Sequence, residues 1–164
     1  MRPSLYKVTL LYLICAFACT THADIVVITH HSAPIDSLSK SQVRGIFLKK
    51  LLVFPGTSIP TTTVDQHKNT IERKIFYEHI TNKSPRMMNA YWARYVFTGK
   101  SQPPKELQDS QSILDYVSDN INSIGYIDES LITDDVKIVY RIATQAPSIP
   151  VPLIPAPSIQ GDHL

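Results

Sequence analysis

The chain is poor in cysteine and glycine, and each shortage excludes a class of chemistry. The two cysteines, Cys15 and Cys19, both precede residue 24, so the rest of the chain has no thiol for disulfides or cysteine catalysis. Five glycines in 164 residues leave no glycine-rich phosphate loop, and no P-loop, G-x-S-x-G or H-E-x-x-H pattern occurs. We therefore expect a protein that is not an enzyme and needs no cofactor.

An excess of charge of one sign is also missing. The chain has 16 Lys and Arg against 14 Asp and Glu, and residues 1–23 hold two of the cations and none of the acids, which leaves 14 against 14. A neutral chain has no global basic field that would attract nucleic acid. We expect no nucleic-acid partner, and any anion site has to be local.

Residues 1–23 have the pattern of a signal peptide. Two cations precede an apolar run, 8–19, that is too short to span a bilayer, and the small residue Ala23 precedes Asp24. We expect cleavage before Asp24 and a periplasmic, secreted protein that does not span the membrane after cleavage. The alternatives are an uncleaved membrane anchor and lipidation of Cys19.

Proline divides the remaining chain into a domain and a tail. Five prolines fall between residues 144 and 164, where they interrupt every possible helix or strand and favour polyproline II. We predict one folded domain over residues 24–143 and a disordered, proline-rich tail over 144–164.

Apolar patterning in residues 24–143 predicts strands that alternate with helices. The predicted strands are 24–28, 59–64, 124–127 and 136–142, with a polar loop over 65–68. Helix starts are predicted from capping residues at Ser39 (with Gln42), Asn69 (with Glu72), Ser84 (before Pro85) and Asp109 or Ser110. This alternation predicts an α/β fold in which a mixed sheet is flanked by helices.

Three segments, in this order, resemble periplasmic phosphate-binding proteins, the solute receptors of ABC importers. Residues 38–50 resemble their "Ls..ql..IF.Gk" helix, with Lys49 where glycine stands. Residues 90–99 resemble a segment of short, stand-alone members of the superfamily, and Ile124-Gly-Tyr-Ile127 resembles the "pGAIGYv" strand. The resemblance implies a periplasmic-binding-protein-like (type 2) lobe.

The resemblance also implies a ligand site. In these receptors a Ser-Gly-Thr-Arg turn opens a helix and surrounds phosphate, and the matching residues here are 70–73. Thr70 keeps a hydroxyl and Arg73 keeps the guanidinium, whereas Ile71 replaces the glycine and Glu72 places a carboxylate in the turn. Thr70, Arg73 and the adjacent Asn69 are the implied ligand-binding residues. The alternative is that Asn69 and Glu72 only cap the helix and that Arg73 is solvated.

A second set of polar residues follows the first predicted strand. His31 and Ser32 lie beyond its C-terminal end, where open α/β sheets place ligands, and they are expected to assist anion binding. The alternative is a loop of solvent-exposed histidines. Because His30 and His31 are adjacent, they would point to opposite faces of an extended segment, and no metal site is expected.

Aromatic residues recur at helical spacing in residues 84–99. We expect most of Tyr91, Trp92, Tyr95 and Phe97 to pack in the core, and any exposed part to be a partner surface.

Two functional hypotheses follow. The first is a secreted solute-binding-like protein that captures phosphate or a related small oxyanion, with an ABC permease or another envelope protein as partner. The alternative is an envelope interaction module without a transport role, which keeps the fold but has lost anion binding. A hydrolase would need a pair of carboxylates, for which the sequence nominates no residue.

Overall fold

The computed structural model describes residues 24–143, in which four helices surround a five-stranded sheet. Its strands are β1 (Ile25–His30), β2 (Thr62–Gln66), β3 (Lys105–Leu107), β4 (Ser123–Asp128) and β5 (Val136–Ile142). Its helices are α1 (Lys40–Phe47), α2 (Ile71–Thr81), α3 (Pro85–Phe97) and α4 (Ser110–Asp119), with a 3-10 turn at Glu129–Leu131. The predicted signal peptide and the predicted tail lie outside the described residues.

The sheet is mixed, with strand order β3-β2-β4-β1-β5. β2 runs parallel to β3 and β4, whereas β1 runs antiparallel to β4 and β5. Ile25 therefore pairs with Asp128, and Thr29 pairs with Ile124. The C-terminal ends of β2 and β4 therefore lie at the same end of the sheet as the N-terminal end of β1. The C-terminal end of β1 lies at the opposite end of the sheet.

Each face of the sheet packs against its own helices, as period-2 alternation requires. One cluster joins α1, α2 and α3 to the sheet and includes Val27, Phe47, Phe76, Trp92 and Tyr126. The other joins α4 to the sheet and includes Val26, Val64, Ile113, Val117 and Ile127. The predicted mixed sheet flanked by helices is confirmed.

Gly125 lets α4 lie close to the sheet. A Cβ at this position would lie 2.5 Å from Ile113 Cγ2 and 2.9 Å from Val64 Cγ2. Such distances require the packed helix to shift. The glycine of the Ile-Gly-Tyr segment is therefore explained by helix-on-sheet packing.

Most of the predicted helix starts agree with the structure. Ser39 and Gln42 form the predicted capping box, Ser84 caps α3 with Pro85 in its first turn, and Asp109 caps α4. The prediction for α2 was wrong by one residue. The N-cap is Thr70 and not Asn69, because the Thr70 hydroxyl accepts the backbone N–H of Arg73.

Two predictions around β2 and β3 also need correction. β2 begins at Thr62 and not at residue 59, and it extends through Asp65 and Gln66, which were expected in a loop. Both side chains are buried because they find polar partners inside the fold. β3 was not expected, since a short, largely polar Lys-Glu-Leu segment shows no apolar alternation.

The aromatic residues of α3 divide between core and surface. Trp92 is buried, and Tyr91 and Tyr95 are half-buried against the same core cluster. Phe97 is 92% exposed. No helix among the described residues combines the length and the apolar character needed to cross a membrane.

Candidate functional site

A buried carboxylate near the end of β2 organises the polar residues of the site. Asp65 is fully buried, and its Oδ2 accepts a hydrogen bond of 2.8 Å from Tyr77 Oη. Its Oδ1 accepts a hydrogen bond of 2.5 Å from Tyr126 Oη. Arg73 Nη2 lies 3.1 Å from Oδ2 and completes an ion pair. Three donors, two from α2 and one from β4, thus converge on one side chain of β2.

Burial governs the protonation of this group. Burial, followed by the charge of Asp65, raises the pKa of Tyr77 and of Tyr126 well above the usual value, so both hydroxyls stay protonated and donate. Burial also raises the pKa of Asp65, although Arg73 and the two hydroxyls oppose this effect. The carboxylate therefore depends on Arg73 to remain charged in the interior.

Arg73 is held by a second carboxylate. Its Nη1 donates to Glu106 Oε1 at 2.9 Å, and the Glu106 side chain is 42% exposed. β3 supplies this residue, since Glu106 is the register partner of Asp65 across the parallel β2–β3 pair. Burial lowers the pKa of Arg73, but the attraction of Asp65, with a further contribution from Glu106, outweighs it and the net pKa is raised. Arg73 is thus neutralised within the fold.

A basic pocket lies beside this network. It has a volume of about 170 Å³ and is small compared with drug-sized ligand sites. Its lining is cationic, amide, aromatic and apolar, and contains no carboxylate: Lys68, Asn69, Arg73, Lys74, Tyr77, Pro85, Met88 and Asn89. Arg73 and Tyr77 are four residues apart on α2, and Asn69 precedes the helix. The pocket therefore runs along the side of the helix toward the start of α3.

The structure brings together only some of the residues of the predicted α2 site. Asn69 and Arg73 line the pocket, whereas Thr70 does not. The Thr70 hydroxyl donates to His67 O at 3.0 Å and accepts the N–H of Arg73 at 3.4 Å, so it is used in capping. Glu72 also lies outside the pocket lining. Its carboxylate is therefore not placed against a ligand in this pocket.

The predicted residues after β1 belong to a different part of the molecule. His31 and Ser32 follow the C-terminal end of β1, at the end of the sheet opposite to the pocket. The Ser32 N–H donates to His30 Nδ1 at 3.0 Å, and His31 Nδ1 lies 3.3 Å from Asp135 O. These residues cannot join Arg73 around one small anion.

The sequence suggested that the side chains of His30 and His31 point to opposite faces. The structure shows that they do not. The rings of His30 and His31 lie against each other, with centroids 4.3 Å apart, because the chain leaves the extended conformation after His30. Within residues 24–143, no group of three or more His, Cys, Asp or Glu side chains is arranged to hold a metal ion.

Sequence reasoning missed most residues of the site, among them Lys68, Lys74, Asn89 and Glu106. Lys74 could have been found, because it follows Arg73 on the predicted helix, and Lys68 precedes that helix in the predicted polar loop. Asn89 and Glu106 gave no local signal, since their position depends on how α3 and β3 pack against distant parts of the chain.

Solved structures similar to this chain include proteins named as phosphate receptors. One is a protein from Clostridium perfringens, named as a phosphate ABC transporter substrate-binding protein and solved with bound phosphate, which is 24% identical with a TM-score of 0.58. The match covers 71% of this chain and 44% of that chain. An ABC-type phosphate transport receptor from Vibrio cholerae is 14% identical, with a TM-score of 0.57 and coverages of 71% and 45%. PstS from Borrelia burgdorferi is 12% identical, with a TM-score of 0.56 and coverages of 77% and 49%.

The chain therefore has a periplasmic phosphate-binding-like fold, and the resemblance seen in its sequence is confirmed at the level of fold. It spans less than half the length of these three receptors. No protein-family model and no curated protein matches the chain.

Proposed function

We propose that the protein binds phosphate or a related small oxyanion in the basic pocket beside α2. The observation that carries this proposal is the lining of the pocket, which has cations and amides but no carboxylate. It occurs in a fold whose solved examples include a receptor with bound phosphate. The small volume, about 170 Å³, suits a small ligand.

The lysines, and not Arg73, supply the net positive charge. Arg73, Asp65 and Glu106 together carry one positive and two negative charges when ionised, which sums to −1. Lys68 and Lys74 add +2 and make the site +1 overall. In this arrangement Arg73 contributes hydrogen-bond donors at a fixed position, and Lys68 and Lys74 contribute electrostatic attraction. The side-chain amide groups orient the anion.

The N-terminal N–H groups of α2 have a smaller part in this proposal than the resemblance implied. The pocket opens along the side of the helix, and neither Thr70 nor Ile71 lines it. Side-chain donors therefore replace the glycine-based turn of the similar receptors. Binding is expected to depend strongly on salt, because exposed lysines are screened within about a Debye length.

Titration calorimetry of residues 24–164 with inorganic phosphate tests the proposal. We expect heat of binding in wild type and an affinity lowered by roughly fivefold per lysine in Lys68→Gln and Lys74→Gln, since one cation about 4 Å away contributes about 1 kcal/mol in water. Lys50→Gln removes an exposed charge outside the pocket lining and is the matched control. No heat and no shift in melting temperature at millimolar phosphate would refute anion binding.

The same proposal extends to location and partners. We propose a secreted periplasmic protein that delivers the anion to an ABC permease, on the basis of the names of its structural neighbours. A gene for a permease or its ATPase beside this one would support delivery. Retention of the protein in the cytoplasm during fractionation would contradict it.

A non-transport envelope interaction module is the second candidate. It is supported by the length of the chain, less than half that of the three receptors, because a single lobe encloses a ligand less completely. Pull-down of an envelope protein that is unaffected by Lys68→Gln and by phosphate would favour this role over capture.

A further inference from the structure

Exposed apolar side chains are concentrated in two segments of the described chain. Of the eight large hydrophobic residues that are exposed, six lie in the loop after α1 or on α3. They are Leu51, Leu52, Val53, Met87, Val96 and Phe97. Leu52 is 62% exposed and Phe97 is 92% exposed. Exposed apolar side chains that are clustered, unlike scattered single ones, mark interaction sites.

The same segments carry positive charge and no negative charge. Residues 37–64 and 79–105 contain nine Lys and Arg and no Asp or Glu. Residues 106–135 show the reverse, with eight Asp and Glu and no Lys or Arg. No salt bridge within residues 24–143 involves any of the nine cations. The chain has almost no net charge, but its positive and negative charges are concentrated in different segments.

The fold places most of the two charged segments on opposite sides of the sheet. Lys105, which lies over the Tyr116 ring of α4, and Glu106, which contacts Arg73 of α2, are exceptions. α1 and α3 pack on one face of the sheet and α4 packs on the other. Tyr91 Oη donates to Leu48 O at 2.8 Å and ties α3 to the start of the exposed loop. A surface groove at this junction is lined by Tyr91, Arg94, Tyr95, Thr98 and Lys100. We call residues 48–53 together with Tyr91, Arg94, Tyr95, Phe97 and Lys100 the basic apolar face.

We propose that the basic apolar face binds an anionic lipid bilayer surface. Its cations complement anionic headgroups, while the exposed side chains of Leu52 on a loop and Phe97 at a helix end would enter the acyl boundary. Tyr91 and Tyr95 supply amphipathic rings of the kind enriched at membrane interfaces. The acidic α4 side would face away from the bilayer. A partner surface with acidic groups alone would satisfy the cations but would leave these protruding apolar groups without an apolar partner.

Co-sedimentation with vesicles tests this proposal. Residues 24–164 are used, because the apolar run before residue 24 would bind bilayers by itself and every described element follows it. Vesicles of phosphatidylcholine with about one third phosphatidylglycerol are compared with pure phosphatidylcholine at low and high salt. We expect sedimentation with the anionic vesicles only, and its loss at high salt.

Variants separate the contributions of charge and apolar contact. Arg94→Gln with Lys100→Gln should weaken partitioning by roughly fivefold per charge, and Leu52→Ser with Phe97→Ser should weaken it further. Lys137→Gln with Arg141→Gln removes two charges from β5 and should leave partitioning unchanged. A melt of each variant shows that the fold is intact.

Three results would overturn the proposal. One is absence of sedimentation with anionic vesicles, and another is equal partitioning of the basic-face and β5 variants. The third is concentration-dependent self-association that the Leu52→Ser, Phe97→Ser variant abolishes without lipid, which would assign the face to a second copy of the chain. The phosphate affinity of the Leu52→Ser, Phe97→Ser variant should match that of wild type. This proposal and the anion-binding proposal can therefore fail independently.

Discussion

Removing the positive charge of Arg73 should destabilise the fold more than removing any exposed cation. Arg73→Met keeps a long apolar stem at a largely buried position but leaves Asp65 in the interior without its counter-ion. Glu106, the register partner of Asp65, then adds an uncompensated like charge nearby. Breaking a buried pair by removing one partner costs about 3–5 kcal/mol.

The magnitude can be checked by urea unfolding monitored by circular dichroism. For a domain of this size, about 4 kcal/mol corresponds to a fall in melting temperature of roughly 15 °C. Lys74→Met, one residue further along α2 and exposed, is the matched control and should change stability by less than about 0.5 kcal/mol. The double variant Asp65→Asn, Arg73→Met removes both buried charges and should be more stable than Arg73→Met alone.

The stability of Arg73→Met should also depend on pH in a defined direction. Burial raises the pKa of Asp65, and loss of Arg73 removes the main effect that opposes this rise. The folded variant then binds a proton more readily than the unfolded chain, so its stability is greatest at low pH and falls as pH rises through the folded-state pKa. A loss of stability no larger than that of Lys74→Met, or a double variant less stable than the single one, would refute this account of Asp65.

Two further predictions concern the backbone and a histidine. Lys49 has a φ of +55°, so Lys49→Gly should stabilise the protein by about 0.5–1 kcal/mol in urea unfolding, whereas Lys50→Gly, which lacks a positive φ, should not. Burial lowers the pKa of His79, so the unfolded chain takes up a proton there first and stability should fall as pH drops below about 6.5. His79→Gln should make that fall shallower, and an unchanged slope would exclude His79 as its source.

Features with a local cause were predictable from sequence. The capping box at Ser39 needs only residues three positions apart, and proline after Ser84 marks a helix start through its own geometry. Lys49 is a more specific case. It stands where the similar receptors have glycine, and the structure places it in the left-handed region that glycine favours. Lys49 thus adopts a conformation that suits glycine better than lysine.

Features that depend on distant partners were not predictable. β3 forms because it pairs with β2, more than 30 residues earlier in the chain, and its own side chains carry no apolar pattern. Asp65 was expected in a loop because residues 65–68 form a polar run between the predicted strand and the next helix. In the fold, Tyr77 and Tyr126 surround it with donors and make the strand position possible. Tertiary context overrode the local preference.

Arg73 shows why matching a motif is weaker evidence than the surroundings of the matched residue. The pattern Thr70-x-x-Arg73 places a hydroxyl and a guanidinium where the similar receptors have them, and a free guanidinium there would be an anion ligand. Two carboxylates from separate strands already contact its Nη2 and Nη1 atoms, at 3.1 and 2.9 Å. An anion entering the adjacent pocket therefore uses the remaining N–H donors of Arg73, displaces Glu106, or binds chiefly to the lysines. Glu106 is the exposed one of the two carboxylates, so it is the contact that an anion can displace, and the charge of the pocket as a whole, not of Arg73 alone, determines whether it does.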